Sequence, residues 1–168
     1  YLKYMEKNPD MPVIQMDTVK GCREQGKRLL TLHFCNTNMM LMFLMRDGKA
    51  DTVVEQFDML TGLLGLEEFH KIFPVILTDN GSEFKHTREL ETTDDGKKRT
   101  KVFYCDPQAS WQKPQIEKNH EFIRYVEPKY HSFNHLTQEK VNDIFSNINS
   151  LYRKSLPGVT PYQLAYSV

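Results

Sequence analysis

The sequence has few cysteines, no excess of either charge and no long apolar run. Its three cysteines, Cys22, Cys35 and Cys105, are widely spaced and form no C-x-x-C pair. A disulfide framework or a zinc site is therefore not expected, and the composition fits a reducing cytosol. The richest apolar run is residues 39–45, far shorter than the ~20 residues that a membrane helix needs. We predict a buried strand there and no association with a membrane.

A net charge is also lacking. Lys plus Arg and Asp plus Glu each number 22, so no field of the whole molecule attracts nucleic acid. Any contact with a polyanion must come from a local patch of cations. The chain has 168 residues, which is the size of one domain with a single core. We predict one domain over residues 1–168, and the first residue, Tyr1, leads us to expect that it is excised from a longer protein.

The pattern of apolar residues predicts an α/β fold. Strands are predicted over 12–17, 27–34, 39–45, 75–78 and 102–105, and helices over 51–64, 67–72, 83–91, 116–126 and 137–154. Short turns join the first three strands into an antiparallel meander, whereas a helical crossover makes the fourth strand parallel to the first. Residues 85–101, the least hydrophobic segment, are predicted to form a solvent-exposed excursion. This order is that of a ribonuclease-H-like fold, a mixed five-stranded sheet flanked by helices.

Three acidic residues stand where a predicted strand ends or a predicted helix begins. Asp17 ends the first strand, Asp79 ends the fourth, and Glu117 opens a helix. Neighbouring strands lie ~5 Å apart, so Asp17 and Asp79 are within reach of one shared ion. Clustered carboxylates repel one another unless a cation lies between them, and their oxygens favour Mg²⁺ or Mn²⁺. The pattern predicts a site for a pair of such ions; the alternative is three unrelated surface acids.

The order of the motifs resembles the catalytic core of the DDE integrase and transposase superfamily, and within it the insertion-sequence transposases of the IS-thirty branch. The most specific motif is Thr78-Asp79-Asn80-Gly81-Ser82-Glu83-Phe84, and the resemblance extends from Val13 to Ala165, including Tyr152-Arg153-Lys154. The Asn80-Gly81 pair predicts a turn that tolerates positive φ and leaves Asp79 pointing into a cleft. The interval from Asp79 to Glu117 is slightly longer than is usual in the family, which fits the polar excursion.

The resemblance implies a DDE transposase core that nicks DNA and joins the freed 3′-hydroxyl to a target strand, using two Mg²⁺ or Mn²⁺ ions. It implies that Asp17, Asp79 and Glu117 are the catalytic, metal-binding triad and that His120 and Arg124 contact the DNA end. The implied partners are the element ends, the target DNA and further copies of the chain, as a homodimer or higher oligomer. The implied location is the bacterial cytoplasm at the nucleoid, with a DNA-binding region upstream of Tyr1.

Other residues near the predicted site are candidates for DNA contact. Trp111 is a candidate for stacking on a splayed base, although a lone Trp in a loop is more often a packing anchor. Four cations, Lys97, Lys98, Arg99 and Lys113, are candidates for phosphate contact; a solvated surface run explains the same residues. Two alternative functions also stay open at this point. They are a structure-specific nuclease of the same fold and a non-catalytic scaffold that binds nucleic acid or protein.

Overall fold

The computed structural model describes residues 1–22, 26–106 and 114–167. Within these ranges the strands are β1 (Val13–Lys20), β2 (Arg28–Phe34), β3 (Met40–Met45), β4 (Val75–Thr78) and β5 (Lys101–Tyr104). The α-helices are α1 (Leu2–Lys7), α2 (Ala50–Leu64), α3 (Leu66–Ile72), α4 (Thr87–Glu91), α5 (Pro114–Val126), α6 (Gln138–Asn149) and α7 (Pro161–Ala165), and a 3-10 turn spans Ser82–Phe84. No helix in these ranges is long and apolar enough to cross a bilayer.

The five strands form one mixed sheet in the order β3-β2-β1-β4-β5. β2 is antiparallel to both β1 and β3, while β4 is parallel to both β1 and β5. The change of direction falls after β3, where α2 and α3 carry the chain across the sheet to β4. The predicted ribonuclease-H-like α/β fold, with three antiparallel strands first, is confirmed.

Apolar side chains cover both faces of the sheet. Alternate residues of the strands point to opposite faces, and accordingly Met16 and Leu30 belong to a cluster with α2 and α3, whereas Val19 and Leu29 belong to a cluster with α5 and α6. The methionine-rich run forms β3 and supplies buried residues to both clusters, as predicted for a core strand. Helices on both faces therefore hold the sheet that carries the acidic residues.

The edge strand β3 is covered by α6 through two amide side chains. Gln138 accepts a hydrogen bond from the backbone N–H of Leu44 at 2.7 Å and donates to the carbonyl of Met42 at 3.0 Å. Asn149 accepts a hydrogen bond from the backbone N–H of Met40 at 2.9 Å and donates one to the carbonyl of Met40 at 2.8 Å. Because an exposed strand edge invites pairing with other chains, these contacts protect the sheet and position α6 along it.

Helix α6 is shorter than the sequence pattern predicts. It ends at Asn149 rather than at residue 154, and Leu151, predicted to be on its buried side, is 46 % exposed. The guanidinium of Arg153 folds back and donates to the carbonyl of Ile148 at 3.1 Å, so it satisfies one of the carbonyls that a helix end leaves unpaired. This contact, made by a residue outside the helix, is not visible in an apolar repeat.

The polar segment 85–101 is not the solvent-exposed excursion that its composition predicts. It contains α4, and both Leu90 and Arg99 in it are fully buried. An antiparallel bridge between Thr92 and Lys98 turns the chain back towards the sheet. The tip at 94–97 is exposed, as predicted, but the two ends of the segment pack into the fold.

Candidate active site

Asp17 and Asp79 lie opposite each other on neighbouring parallel strands. The β1–β4 pairing runs to Gln15 opposite Leu77, and the hydroxyl of Thr78 donates to the carbonyl of Met16 at 3.0 Å. Continuing this register by two residues brings Asp17 opposite Asp79. The prediction that Asp17 ends its strand is wrong, because β1 continues to Lys20 in its pairing with β2. It lies instead where β4 ends and leaves β1 without a neighbour on that side. We call this part of the sheet the acidic edge.

Helix α5 begins over the same face of the sheet. The backbone N–H of Ile116 donates to the side-chain oxygen of Gln15 at 3.0 Å, so the first turn of α5 lies on the face that Gln15 presents. Asp17 is two residues further along β1, and side chains two apart in a strand share a face. Glu117, the next residue of α5, is exposed in that first turn. Asp17 and the first turn of α5 therefore lie on the same face of the sheet, and Asp79 directly follows the end of β4 beside Asp17.

Each aspartate is oriented by a backbone N–H that is close to it in sequence. One carboxylate oxygen of Asp17 accepts from the N–H of Thr18 at 2.7 Å, and one of Asp79 accepts from the N–H of Gly81 at 2.9 Å. The turn does not use the positive φ that an Asn-Gly pair tolerates, because Gly81 has φ −58°. Asn80 instead donates to the carbonyl of Cys105 at 2.9 Å, which ties the turn to the end of β5.

Position 81 requires glycine because a side chain would not fit there, and not because the backbone needs a positive φ. A Cβ atom there would lie 2.9 Å from Asp79 Oδ1 and 2.7 Å from Glu83 Oε2. We expect Gly81→Ala to displace the Asp79 carboxylate and to lower DNA cleavage by about tenfold or more, since small misplacements at a reacting centre are costly. The matched control is Gly62→Ala, where no atom lies within 4 Å of the added methyl group. Nicking of plasmid DNA measures the effect, and equal rates for both variants would contradict it.

His120 joins α5 to the strand beside Asp17. Its Nε2 is 2.9 Å from the hydroxyl of Thr31, which also donates to the backbone carbonyl of Asp17 at 3.1 Å. Thr31 is the residue of β2 that pairs with Asp17. His120 follows Glu117 by one helical turn, so both lie on the same side of α5. This contact holds α5 next to the acidic edge.

A cavity of about 520 Å³ opens beside these residues, and we call it the edge cavity. Glu117, His120 and Arg124 line it from α5, and Lys20 and Lys129 add two cations. Arg124 donates to the carbonyl of Lys20 at 2.7 Å, and burial lowers the pKa of its guanidinium from the ordinary value. The cavity thus brings two carboxylates, those of Glu117 and Glu121, together with an imidazole and three cations beside the acidic edge.

The side chains do not form a ready metal site. In the part of the chain that the structure describes, no three His, Cys, Asp or Glu side chains are grouped closely enough to hold an ion. The strands and α5 bring the backbones of Asp17, Asp79 and Glu117 to one place, but approach of all three carboxylates to a shared ion is a further step. The triad therefore stays a prediction.

Known proteins of related sequence include transposases of insertion sequences. The chain is 25 % identical over 148 residues to the transposase of insertion sequence IS4351 from Bacteroides fragilis, a match over 88 % of this chain and 42 % of that protein. It is 33 % identical over 64 residues to the transposase InsI of IS30A from Escherichia coli, a match over 38 % of this chain and 17 % of that protein. The chain thus spans less than half of these relatives. No protein-family profile matches it.

Solved structures of similar fold are retroviral integrases. The HTLV-2 integrase catalytic core in complex with magnesium covers 90 % of this chain with a TM-score of 0.60 and 17 % identity, and 94 % of that core is matched. The integrase of the simian T-cell lymphotropic virus intasome covers 93 % with a TM-score of 0.67 and 14 % identity, and 54 % of that chain is matched. The chain is similar in sequence to insertion-sequence transposases, and it has the fold of an integrase catalytic core.

Six of the seven predicted DNA contacts divide into three groups. His120 and Arg124 line the edge cavity with Glu117 and stay predictions. Lys97 forms an ion pair with Asp95 at 2.7 Å on the exposed tip, and Lys98 is exposed. Trp111 and Lys113 lie outside the described residues.

The assignment of Arg99 to DNA contact is wrong. Its side chain is fully buried and pairs with Asp58 at 2.6 Å, and it also donates to the carbonyl oxygens of Glu89 and Leu90. A guanidinium without accessible surface cannot approach a phosphate. Its neighbours in sequence are charged, which is why composition alone places it on the surface.

Several residues that position the site were not predicted from the sequence. Thr18 donates to Glu83 at 2.6 Å, which links β1 to the turn after Asp79, and Gln15 and Thr31 hold α5 as described above. Gln15 and Thr31 are polar residues in the middle of apolar strands. Buried polar side chains need hydrogen-bond partners, so this interruption of the apolar pattern is the signal that could have identified them.

His33, predicted to be in the core, is fully buried behind the site. Burial lowers its pKa from 6.5 to about 4, and the positive charges of Arg153 and, to a smaller extent, His120 lower it in the same direction. The folded state therefore resists protonation, whereas the unfolded state accepts a proton as the pH falls below 6.5. The stability that neutral His33 confers is present above that pH and is lost progressively towards pH 4.

We expect the free energy of unfolding to fall by about 2 kcal/mol between pH 7 and pH 5 through His33 alone. His33→Leu should remove this part of the pH dependence, because Leu does not titrate. His131→Leu, at an exposed histidine, is the control. Urea unfolding at both pH values measures the difference. A slope in His33→Leu equal to that of the parent would mean that His33 is protonated equally in both states.

Proposed function

We propose that the chain is the catalytic core of a DNA transposase that uses Asp17, Asp79 and Glu117 to hold two divalent metal ions. The register that brings Asp17 opposite Asp79, with α5 opening over the same face, is the observation that carries this proposal. The sequence relatives support the reaction class, since they are transposases of insertion sequences.

The residues fit Mg²⁺ or Mn²⁺ in their chemistry. All three are carboxylates, the ligands that these ions prefer, and a backbone N–H holds one oxygen of each aspartate in place. When bound, a pair of such ions supplies acidity to a water or a 3′-hydroxyl and stabilises the leaving oxygen of an in-line displacement. The acidic edge is the part of the molecule that would bring the scissile phosphate to them.

The chain's own side chains orient the DNA in this proposal. Arg124 and Lys20 lie in the edge cavity, where they can hold phosphates next to the scissile bond. His120 is held by Thr31 and can donate or accept a hydrogen bond at the DNA end, depending on its tautomer. Neither residue needs to form a covalent bond with the substrate.

The proposal includes assembly and location. We propose one core domain over residues 1–168 that works as a homodimer or higher oligomer on two element ends and a target, in the bacterial cytoplasm at the nucleoid. The relatives support the need for further segments, because they are more than twice as long as the matched region. Support for assembly is that the structural neighbours include an intasome chain and a trimeric crystal form.

The test is a joining assay with metal titration. A DNA oligonucleotide with a labelled 3′-hydroxyl end is incubated with plasmid and the purified chain in Mg²⁺, Mn²⁺ or EDTA. We expect the label to become attached to plasmid only when a divalent ion is present. Shortened oligonucleotide without joining would indicate a structure-specific nuclease. No cleavage, together with no Mn²⁺ binding at millimolar concentration by calorimetry, would leave only a non-catalytic scaffold.

A further inference from the structure

Helix α5 separates the edge cavity from a second cavity of about 600 Å³. The residues of α5 that line the edge cavity are Glu117, His120, Glu121 and Arg124, and those that line the second are Gln115, Lys118, Asn119 and Phe122. Both sets have the spacing of one helix face, and at 3.6 residues per turn their centres are about 160° apart. The second cavity therefore lies behind α5, one helix width from the acidic edge.

The charge of this second cavity is positive, and we call it the basic cavity. Lys118 lines it from α5, and Arg153 and Lys154 line it from the segment after α6, while its described lining residues include no carboxylate. None of these three cations forms an ion pair with a described residue. The neutral net charge of the chain requires a local patch for any polyanion, and the basic cavity is such a patch.

Arg153 forms the wall of this cavity and is only partly satisfied. It donates to the side chain of Asn119 and to the carbonyl of Ile148, and its guanidinium lies 4.5 Å from the centre of the Phe122 ring. Its Nε is buried and has no hydrogen-bond partner among the described residues. Burial lowers its pKa from the ordinary value. The side chain is only partly buried and forms no ion pair with a described residue, so an anion in the cavity can pair with it.

The remaining lining residues favour a nucleotide as the source of that anion. Tyr152 is 71 % exposed at the rim, directly before the two cations. An exposed aromatic ring beside cations is the arrangement on which single-stranded bases stack. An acidic peptide would use the cations but not the exposed aromatic ring.

We propose that the basic cavity binds a single-stranded segment of DNA, with Lys118, Arg153 and Lys154 at its phosphates and Tyr152 against a base. The inference rests on the proposed function, because it takes DNA as the ligand. The thickness of a helix is about 10 Å and a strand advances about 3.4 Å per nucleotide. A strand whose phosphate is at the acidic edge therefore reaches the basic cavity in about three nucleotides.

The test is DNA binding in EDTA, which does not depend on catalysis. Fluorescence anisotropy of a labelled single-stranded oligonucleotide compares K118E/K154E with K3E/K7E, which makes the same charge change on exposed lysines of α1. We expect K118E/K154E to weaken binding at least tenfold beyond the control and to reduce the salt slope by about 1.4, for two lost phosphate contacts. Tyr152→Ala should weaken binding by about tenfold without changing the slope.

Lysine acetylation read by mass spectrometry gives a second measurement on the unmutated chain. We expect the oligonucleotide to protect Lys118 and Lys154 but not Lys3 and Lys7, which separates loss of contact from loss of folding. Equal binding by the two double variants, equal protection of all four lysines, or equal competition by polyglutamate of the same charge would each overturn the proposal. Failure of DNA joining together with preserved binding differences would refute the proposed function and leave the binding site intact.

Discussion

Asp17→Asn is expected to lower the rate of DNA joining by at least about a thousandfold without unfolding the chain. The change removes the charge that a metal ligand needs and keeps the shape of the side chain. Metal ions contribute several kcal/mol to such transition states, and about 4 kcal/mol corresponds to a factor of a thousand. Asp79→Asn and Glu117→Gln should have effects of similar size, because each removes one carboxylate from the same proposed site.

The controls are acids of the same types on the exposed surface of α6. Asp143→Asn and Glu139→Gln change the charge equally and lie outside the acidic edge. Single-turnover joining in Mn²⁺ measures the rate, and calorimetry measures metal affinity separately. If a triad variant joined DNA within tenfold of its control, the carboxylate concerned would not be a metal ligand. If the variant bound Mn²⁺ normally but failed to join DNA, the carboxylate would act on the DNA substrate rather than as a metal ligand.

The strand order, and with it the neighbouring positions of β1 and β4, could be predicted because it depends on local patterns. Alternating apolar residues identify strands, and a helix between two strands requires a parallel crossover. These two rules are enough to bring Asp17 near Asp79. They do not give the end of β1, because the last residues of that strand, through Lys20, pair only with β2. The length of a strand depends on its neighbours as well as on its own sequence.

The errors occur where a side chain acts across a long distance in sequence. Arg153 ends α6 through a contact back to Ile148 and forms the basic cavity with Asn119, 34 residues away. Arg99 reaches Asp58, 41 residues away. A cation in a charged segment has the same composition whether it is exposed or buried. Only the tertiary partners distinguish the two cases, so the burial of Arg99 could not be predicted from its sequence context.

Arg99→Met is expected to lower the free energy of unfolding by about 3–5 kcal/mol. The guanidinium donates to the carbonyls of Leu90 and Glu89 and to Asp58, and these bonds hold α4 and the returning strand segment against α2. Met fills much of the volume but leaves both carbonyls without that donor. Asp58 is half exposed, so water can solvate its charge, and the lost backbone contacts account for most of the expected effect.

Urea unfolding followed by circular dichroism measures this loss. At a slope of about 2 kcal/mol/M, the midpoint should fall by roughly 2 M relative to Lys98→Met, the neighbouring exposed control. Arg99→Lys should recover less than half of the loss, because an ammonium group lacks the planar fork that reaches Asp58 and two carbonyls at once. A loss below about 1 kcal/mol for Arg99→Met, accompanied by weaker DNA binding, would mean that Arg99 is exposed in solution. Arg99 would then again be a candidate for DNA contact, as its sequence context predicts.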